Sequence, residues 1–144
     1  MVTKIIYATD KEESPDFGDI VKSGEYKRED LERVDREIFD KYFAPSQRNG
    51  YYKVIDAIRE RTIYQKHDLL SFQPISNNFN FNLIICKNVP LHLQRLERVE
   101  VIKMFQKSFV TGGIFATEQT QKIPPELSHL FEQVSGEGQV FRRR

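Results

Sequence analysis

The chain alternates short apolar runs with segments whose apolar residues recur at helical spacing, which is the pattern of an α/β fold. The run 4–9 is apolar, rich in strand-forming residues and bracketed by charge, which predicts a strand buried on both faces. The run 62–66 alternates as strands do, and 81–86 is the most hydrophobic strand candidate in the chain. Three strands are therefore expected from these runs.

Helical spacing of apolar residues predicts two longer helices. The first covers 29–43, where the spaced residues are Leu31, Val34, Ile38 and Tyr42. Asp30 is placed to cap its first turn. The second covers about 93–109 and is marked by Leu93, Leu96, Val99, Val101, Met104 and Phe105. A shorter helix over 16–23 is expected to stop at Gly24.

A hairpin is predicted between the first and second of these longer helices. The segments 42–44 and 51–54 have strand character and flank Asn49-Gly50, a pair that tolerates the positive φ of a tight turn. The span 42–54 is therefore expected to be a small antiparallel insert.

The final third of the chain predicts a closing hairpin. Strand candidates at 131–134 and 140–141 flank a glycine-containing turn. Upstream, Gly112-Gly113 predicts a tight turn before a strand over 114–117 rather than a phosphate cradle, since no helix follows it. The pattern favours a single α/β domain over 1–144.

Composition excludes several classes of function. In 144 residues, 22 basic and 21 acidic side chains give a net charge of +1, which supplies no general attraction to nucleic acid. No run approaches 18 apolar residues and no signal peptide is evident, so no membrane span and a cytoplasmic location are predicted. Cys86 is the only cysteine, and it and three histidines lack metal-ligand spacing, so no metal site is expected.

Candidate chemistry lies where two predicted strands end. Asp10 follows the run 4–9, and an acidic residue in this setting holds ribose hydroxyls in doubly wound folds. A glycine-rich loop lies about 20 residues upstream in such folds, but only nine residues precede Asp10 here. The polar pair Lys87-Asn88 follows the run 81–86, and ligands bind beyond the carboxyl ends of such strands.

The order of these motifs resembles one family. Asp10 after a strand, HDLL at 67–70, CKNVPLHL at 86–93, a helix, a GG-strand and a hairpin ending in FRRR are similar to the CheR-type chemotaxis methyltransferases. That family transfers a methyl group from S-adenosylmethionine to receptor glutamates. The resemblance covers nearly the whole chain and implies a partial Rossmann-like methyltransferase sheet with an antiparallel insert and a C-terminal hairpin.

The resemblance implies cofactor-binding roles for Asp10 and for residues of the run 67–70. The family residue that matches Asp10 binds the ribose of the cofactor. The run His67-Asp68-Leu69-Leu70 matches the segment that lines the adenine end, which makes Asp68 and Leu69 candidate cofactor ligands.

The resemblance also implies which residues border the reacting end of the cofactor. Cys86-Lys87-Asn88-Val89 matches the family's C-R-N-V run, with lysine in place of arginine, and assigns Asn88 and Val89 to the cofactor. A tyrosine often lies three residues after that valine in the family, where this chain has His92. Asn88 and His92 thus border the predicted transfer site. Cys86 itself is interpreted as core packing rather than as a nucleophile.

The insert falls where the family carries a small β-subdomain, which in some members docks the C-terminal tail of the receptor. By resemblance, a chemoreceptor or another signalling protein is the expected partner. Tyr51 and Tyr52 are the candidate contact residues.

The family also has an N-terminal helical domain, a first strand and a glycine-containing cofactor loop ahead of the segment that matches Asp10. In the family sheet, that first strand lies between the strands matching 4–9 and 81–86. Its loss leaves two unpaired ladders, and such edges invite pairing with another chain. Self-association, or a partner chain that supplies a strand, is therefore expected, together with weak cofactor binding by the isolated chain.

Three functional hypotheses remain open from the sequence. The chain is a methyltransferase-like protein whose cofactor site is completed by another chain; or it is a non-catalytic remnant that binds a signalling partner; or it is an α/β fragment without independent function. A free glutamate acceptor has a pKa of about 4.3 and is already anionic at neutral pH, so the enzyme hypothesis requires no catalytic base.

Overall fold

The computed structural model describes residues 4–11, 15–89 and 92–144, which form an α/β structure with three β-sheets. The chain divides into two compact units, Met1–Asp68 and Leu69–Arg144. Among the described residues, no helix is both long enough and apolar enough to cross a membrane.

The described residues of the first unit form two small sheets and three α-helices. In chain order its elements are β1 (Ile6–Asp10), α1 (Pro15–Ser23), β2 (Glu25–Lys27), a 3₁₀ helix (Arg28–Leu31), α2 (Arg36–Tyr42), β3 (Phe43–Pro45), β4 (Tyr51–Val54), α3 (Asp56–Arg59) and β5 (Thr62–Lys66).

Strands β1 and β5 are parallel neighbours, which confirms both predicted strands. Their register runs from Ile6 opposite Thr62 to Asp10 opposite Lys66, so the two carboxyl ends lie side by side. Helix α1 packs on β5 where Gly18 meets the ring of Tyr64. A Cβ at this glycine would lie 2.8 Å from that ring, so the missing side chain permits the close approach of helix and strand.

The predicted insert is present and has one more strand than expected. Strand β4 pairs with β3 on one side and β2 on the other, both antiparallel. Gly50 adopts a φ of +78° at the predicted turn. Strand β2 was missed because Glu25–Lys27 is short and has two charged residues, so it carries no apolar alternation.

The single helix predicted over 29–43 is wrong. The segment forms a 3₁₀ helix that contains Asp30, then breaks, and α2 begins afterwards. Asp35 caps the start of α2. Its Oδ1 accepts hydrogen bonds from the backbone N–H of Glu37 at 2.9 Å and of Ile38 at 3.4 Å. An aspartate that satisfies free N–H groups starts a new helix more favourably than it continues an existing one.

The second unit contains one four-stranded sheet and one long helix. Its elements are a 3₁₀ helix (Leu69–Ser71), β6 (Phe81–Cys86), α4 (Arg95–Ser108), β7 (Phe109–Thr117), a 3₁₀ helix (Pro125–Leu130), β8 (Phe131–Gln133) and β9 (Val140–Arg143). The sheet order is β6-β7-β9-β8. Strands β6 and β7 are parallel, and the predicted closing hairpin is confirmed by the antiparallel pairing of β8 with β9.

The core of the second unit joins this sheet to α4. Phe109, Phe115 and Val101 are its most completely buried large side chains. Around them lie the buried residues Cys86, Val99, Ile102, Met104, Phe105, Leu127, Phe131 and Phe141. The ring of Phe115 contacts four other phenylalanine rings at centroid distances of 5.6 to 6.4 Å. Apolar burial on this scale is the main force that holds the unit together.

The tight turn predicted at Gly112-Gly113 is wrong, because both glycines lie inside β7. Gly112 adopts a φ of +79°, and the pairing of β7 with β6 shifts register around it. A Cβ on Gly113 would lie 2.8 Å from the ring of buried Phe109. The pair therefore makes an irregularity within the strand, a role typical of strand glycines.

The prediction that the run 4–9 is buried on both faces is also wrong for the described residues. Ile6 in β1 is 49% exposed, and in β6 Leu83 and Ile85 are 52% and 63% exposed. Among the described residues, β1 pairs only with β5 and β6 only with β7, so each strand has one edge without a ladder partner. The apolar runs predicted strands correctly but did not determine their burial.

Candidate cofactor site

In the first unit, the structure brings Asp10 and the segment containing Asp68 together. The backbone N–H of His67 donates to the carbonyl of Asp10 at 2.9 Å, which extends the parallel pairing one step beyond β5. One predicted cofactor ligand, Asp10, thus ends β1, and another, Asp68, lies two residues beyond the end of the adjacent strand β5. The side chain of Asp68 forms an ion pair with Lys11, with Nζ and Oδ2 3.2 Å apart. Both side chains of this pair are more than a third exposed, so the pair adds little stability.

In the second unit, Asn88 and Val89 form a turn directly after β6. Asn88 has a φ of +62°, a left-handed conformation that asparagine adopts more readily than most residues. The carbonyl of Val89 accepts a hydrogen bond from the N–H of His92 at 3.1 Å. The turn therefore contains Asn88 and Val89 and contacts His92, all of which were assigned to the reacting end of the cofactor.

Leu69, the remaining predicted ligand, begins the first 3₁₀ helix of the second unit. Its carbonyl accepts a hydrogen bond from the N–H of Phe72 at 3.1 Å, and its side chain packs against the core of that unit. Phe72 itself adopts a φ of +56°. An apolar side chain in this position suits a contact with the flat face of a base.

Glu118 is a functional candidate that the sequence did not identify. Its Oε2 accepts hydrogen bonds from the backbone N–H of Asn88 at 3.1 Å and from the hydroxyl of Thr117 at 2.9 Å. Thr117 pairs with Cys86 in the sheet, so Glu118 lies just beyond the carboxyl ends of both parallel strands. The polar pair after the run 114–117 was the available signal, of the same kind that identified Asn88.

Cys86 lies in the core, which confirms its interpretation as a packing residue. Burial, and secondarily the nearby carboxylate of Glu118, raises the pKa of its thiol to about 11. The thiol is therefore protonated at neutral pH and is a poor nucleophile.

Tyr51 and Tyr52 occupy the central strand of the insert. Tyr52 packs edge-on against Phe39 with ring centroids 4.9 Å apart, and the guanidinium of Arg28 lies 4.5 Å from the centroid of Phe39. Arg48 lies 3.9 Å from the ring centroid of Tyr51. Both tyrosines are half-buried, so each combines a packing role with a surface available to a partner.

Carboxylate and amide side chains after the ends of parallel strands define a nucleotide-type cofactor-binding α/β protein. Comparison with known proteins identifies the group to which it belongs. The family model described as "CheR methyltransferase, SAM binding domain" matches residues 2–140, so the chain belongs to that family. S-adenosylmethionine is accordingly its cofactor.

Two known proteins are similar to parts of this chain. A probable chemotaxis protein methyltransferase of Rhizobium etli (strain ATCC 51251 / DSM 11541 / JCM 21823 / NBRC 15573 / CFN 42) is 22% identical over 131 residues, which are 90% of this chain and 47% of the relative. The chain thus spans about half the length of this curated relative. The crystal structure of the N-methyltransferase NodS from Bradyrhizobium japonicum WM9, in complex with S-adenosyl-L-homocysteine, matches 58% of this chain and 55% of that one, with 16% identity and a TM-score of 0.43.

The residues present fit the chemistry of S-adenosylmethionine. Asp10 supplies a carboxylate acceptor of the kind that ribose hydroxyls need, and Asp68 supplies one that suits the amino group of adenine. Asn88 supplies an amide with both donor and acceptor atoms, which suits the amino and carboxyl groups of the methionine moiety. Each unit therefore carries polar groups appropriate to a part of the cofactor.

Proposed function

We propose that this chain is the cofactor-binding part of an S-adenosylmethionine-dependent protein-glutamate O-methyltransferase of chemotaxis. The observation that carries this proposal is the placement of Asp10 beside the His67-Asp68 segment, at adjacent carboxyl ends of parallel strands. Family membership supports the cofactor, and the acceptor is proposed from the family's chemistry. In this proposal Asp10 binds the ribose, Asp68 and Leu69 line the adenine end, and Asn88 and Val89 border the reacting end of the cofactor.

The reaction requires orientation rather than acid–base catalysis. The bound cofactor supplies an electrophilic methyl group on a positively charged sulfur. A glutamate side chain is already an anion at neutral pH, so none of this chain's residues has to remove a proton from it. The residues of the turn after β6 act by holding the reacting groups in line and by excluding water, which is catalysis by proximity. His92 borders this turn and contributes to the choice of acceptor.

In the proposed enzyme, a further strand from a partner chain or a second copy completes the cofactor site. Two observations support this arrangement. Among the described residues, β1 and β6 each have one edge without a ladder partner, and Leu83 and Ile85 of β6 are exposed. Micromolar cofactor binding corresponds to about 8 kcal/mol. If the added chain supplies three hydrogen bonds to the cofactor, some of them charged, its absence lowers this free energy by about 3–6 kcal/mol. The isolated chain is therefore expected to bind its cofactor in the high micromolar to millimolar range.

Calorimetry with S-adenosyl-L-homocysteine tests this function. The wild-type chain should bind the product at submillimolar concentration in at least one oligomeric state, and Asp10→Ala should abolish the binding. Alanine retains the Asp10 carbonyl that accepts from His67, so the strand pairing is preserved. Asp40→Ala is the matched control, since Asp40 is an exposed carboxylate paired with Arg36 on α2. Absence of binding in every oligomeric state would reject the proposal.

A non-catalytic role in binding a signalling protein is the second candidate. The observation that favours it is the aromatic surface of the insert, where Arg48 covers Tyr51 and Tyr52 packs on Phe39. Outer strands β2 and β3 each pair with β4 alone among the described residues, so an extended receptor tail has an edge to join. Receptor tail peptides are expected to shift the NMR resonances of Tyr51 and Tyr52. Unchanged resonances at millimolar peptide would eliminate this role.

A further inference from the structure

Glu118 connects the ends of the two parallel strands in the second unit. It follows β7, and its Oε2 accepts the backbone N–H of Asn88, which belongs to the turn after β6. The same oxygen accepts the hydroxyl of Thr117 at 2.9 Å. One carboxylate oxygen therefore fixes the position of the Asn88 backbone relative to the end of the neighbouring strand.

The left-handed backbone conformation of Asn88 is stabilised by a hydrogen bond such as the one to Glu118. A φ of +62° is sparsely populated by residues other than glycine, even though asparagine tolerates it better than most. Because left-handed residues persist only where their surroundings hold them, a charge-assisted hydrogen bond to the Asn88 N–H is an effective restraint.

The second oxygen of Glu118 is also informative. Oε1 is buried and, within the part of the chain that the structure describes, makes no hydrogen bond. A buried carboxylate oxygen without a donor is costly. Packing alone would be satisfied better by an apolar side chain, so the observed use of the other oxygen as an acceptor is the feature of this carboxylate that accounts for its position.

We propose that Glu118 is a positioning residue: through the Asn88 backbone it holds the turn after β6 in the left-handed conformation in which Asn88 and Val89 contact the cofactor. The part of this inference that concerns the cofactor rests on the proposed function. The part that concerns the turn stands on the hydrogen bond and the dihedral angle. Glu118 touches neither cofactor nor acceptor in this role, and its effect passes through Asn88.

Amide hydrogen exchange measured by NMR tests the first part. Glu118→Ala removes the acceptor of the Asn88 N–H and is expected to accelerate exchange at Asn88 about tenfold or more. Glu118→Gln keeps an oxygen in place but removes its charge, so an intermediate acceleration is expected. Glu132→Ala is the matched control, because Glu132 pairs with Arg142 on β9 of the same sheet at 3.7 Å. It should leave Asn88 unchanged. Unaltered resonances of Phe115 report that each variant is folded.

Affinity for S-adenosyl-L-homocysteine tests the second part. If Glu118→Ala lowers the population of the left-handed turn about tenfold, the apparent Kd rises by the same factor. Glu118→Gln should recover much of the affinity, and Glu132→Ala should match the wild type.

The outcomes separate this inference from the proposed function. Unchanged exchange at Asn88 in Glu118→Ala overturns it, as does accelerated exchange with unchanged affinity in a chain that binds the product. If the wild-type chain binds no product in any oligomeric state, the proposed function fails, and the exchange result alone then decides whether Glu118 holds the turn.

Discussion

Individual residues at strand ends combine structural and chemical roles in this protein. Asp10 uses its backbone carbonyl to extend the pairing of β1 with β5. Asn88 uses its backbone N–H to join Glu118, a bond that does not engage its side-chain amide. In both cases a backbone hydrogen bond helps to fix the residue at a strand end.

Cys86 is expected to be unreactive near neutral pH. Its thiol pKa is raised from 9.0 to about 11 by burial and by Glu118. Alkylation of the native protein by iodoacetamide should therefore remain slow at pH 8 and accelerate only as the pH approaches 11, whereas the denatured chain should react readily at pH 9.

The same shift predicts an alkaline loss of stability. Because the folded-state pKa is raised, the protonated thiol favours the folded state fully below pH 9, and this contribution is lost as the pH rises through 11. Cys86→Ala should remove this part of the pH dependence of unfolding. Equal alkaline slopes for the wild type and the variant would contradict the prediction.

At the scale of elements, the cap of α2 explains why the single helix predicted over 29–43 is two shorter elements. Helical spacing of apolar residues continues across 29–43, but two aspartates compete to begin the helix, and only the folded backbone reveals which has free N–H groups beside it. Asp35 caps α2, while Asp30 lies within the preceding 3₁₀ helix. Spacing thus predicted the helix and not its start.

Asp35→Ala should destabilise the protein by about 0.5–2 kcal/mol, because it leaves the N–H groups of Glu37 and Ile38 without their acceptor. Asp30→Ala is the matched control and should change the free energy of unfolding by less than about 0.5 kcal/mol. Urea denaturation followed by circular dichroism measures both. A larger loss in Asp30→Ala than in Asp35→Ala would show that the helix begins where the sequence suggested.

At the scale of the whole molecule, the exposed apolar residues of β6 favour association with another chain. Leu83 and Ile85 alternate with Ile84 and Cys86, which pack on the core of the second unit. A parallel strand with one apolar face exposed and one edge open within the described residues is unusual, because parallel sheets are normally covered on both faces. Pairing of another chain with β6 would therefore give the largest gain from burial of exposed apolar side chains.

Self-association through β6 is expected in the isolated chain. Ile85→Lys should reduce the average mass in solution, because it places a charge on the exposed face beside the open edge. It should leave the free energy of unfolding nearly unchanged, since Ile85 is 63% exposed. Leu96→Lys is the control, because Leu96 is 76% exposed and belongs to helix α4 rather than to a strand. Sedimentation velocity at several concentrations measures the effect, and an equal effect of both variants would indicate non-specific hydrophobic association.

The sequence by itself determined where several of the strands lie and which polar residues follow them, although it missed β2 and the first part of β7. Runs such as 62–66 and 81–86 form strands at the predicted positions, because apolar patterns reflect local backbone preference and the need to bury one face. Asp10 and Asn88 could be selected as candidates because polar residues after such runs occupy strand ends, whereas Asp68 was selected through the family resemblance of the run 67–70.

Only the tertiary structure decided what depends on contacts between distant segments. The pairing of Asn88 with Glu118 spans 30 positions of sequence, and nothing local to either residue announces it. The exposure of Ile6 and Ile85, the irregular course of β7 and the third strand of the insert likewise depend on which neighbours are present. Local patterns specify what a segment can form, but its burial and its hydrogen-bond partners are set by the chain that packs around it.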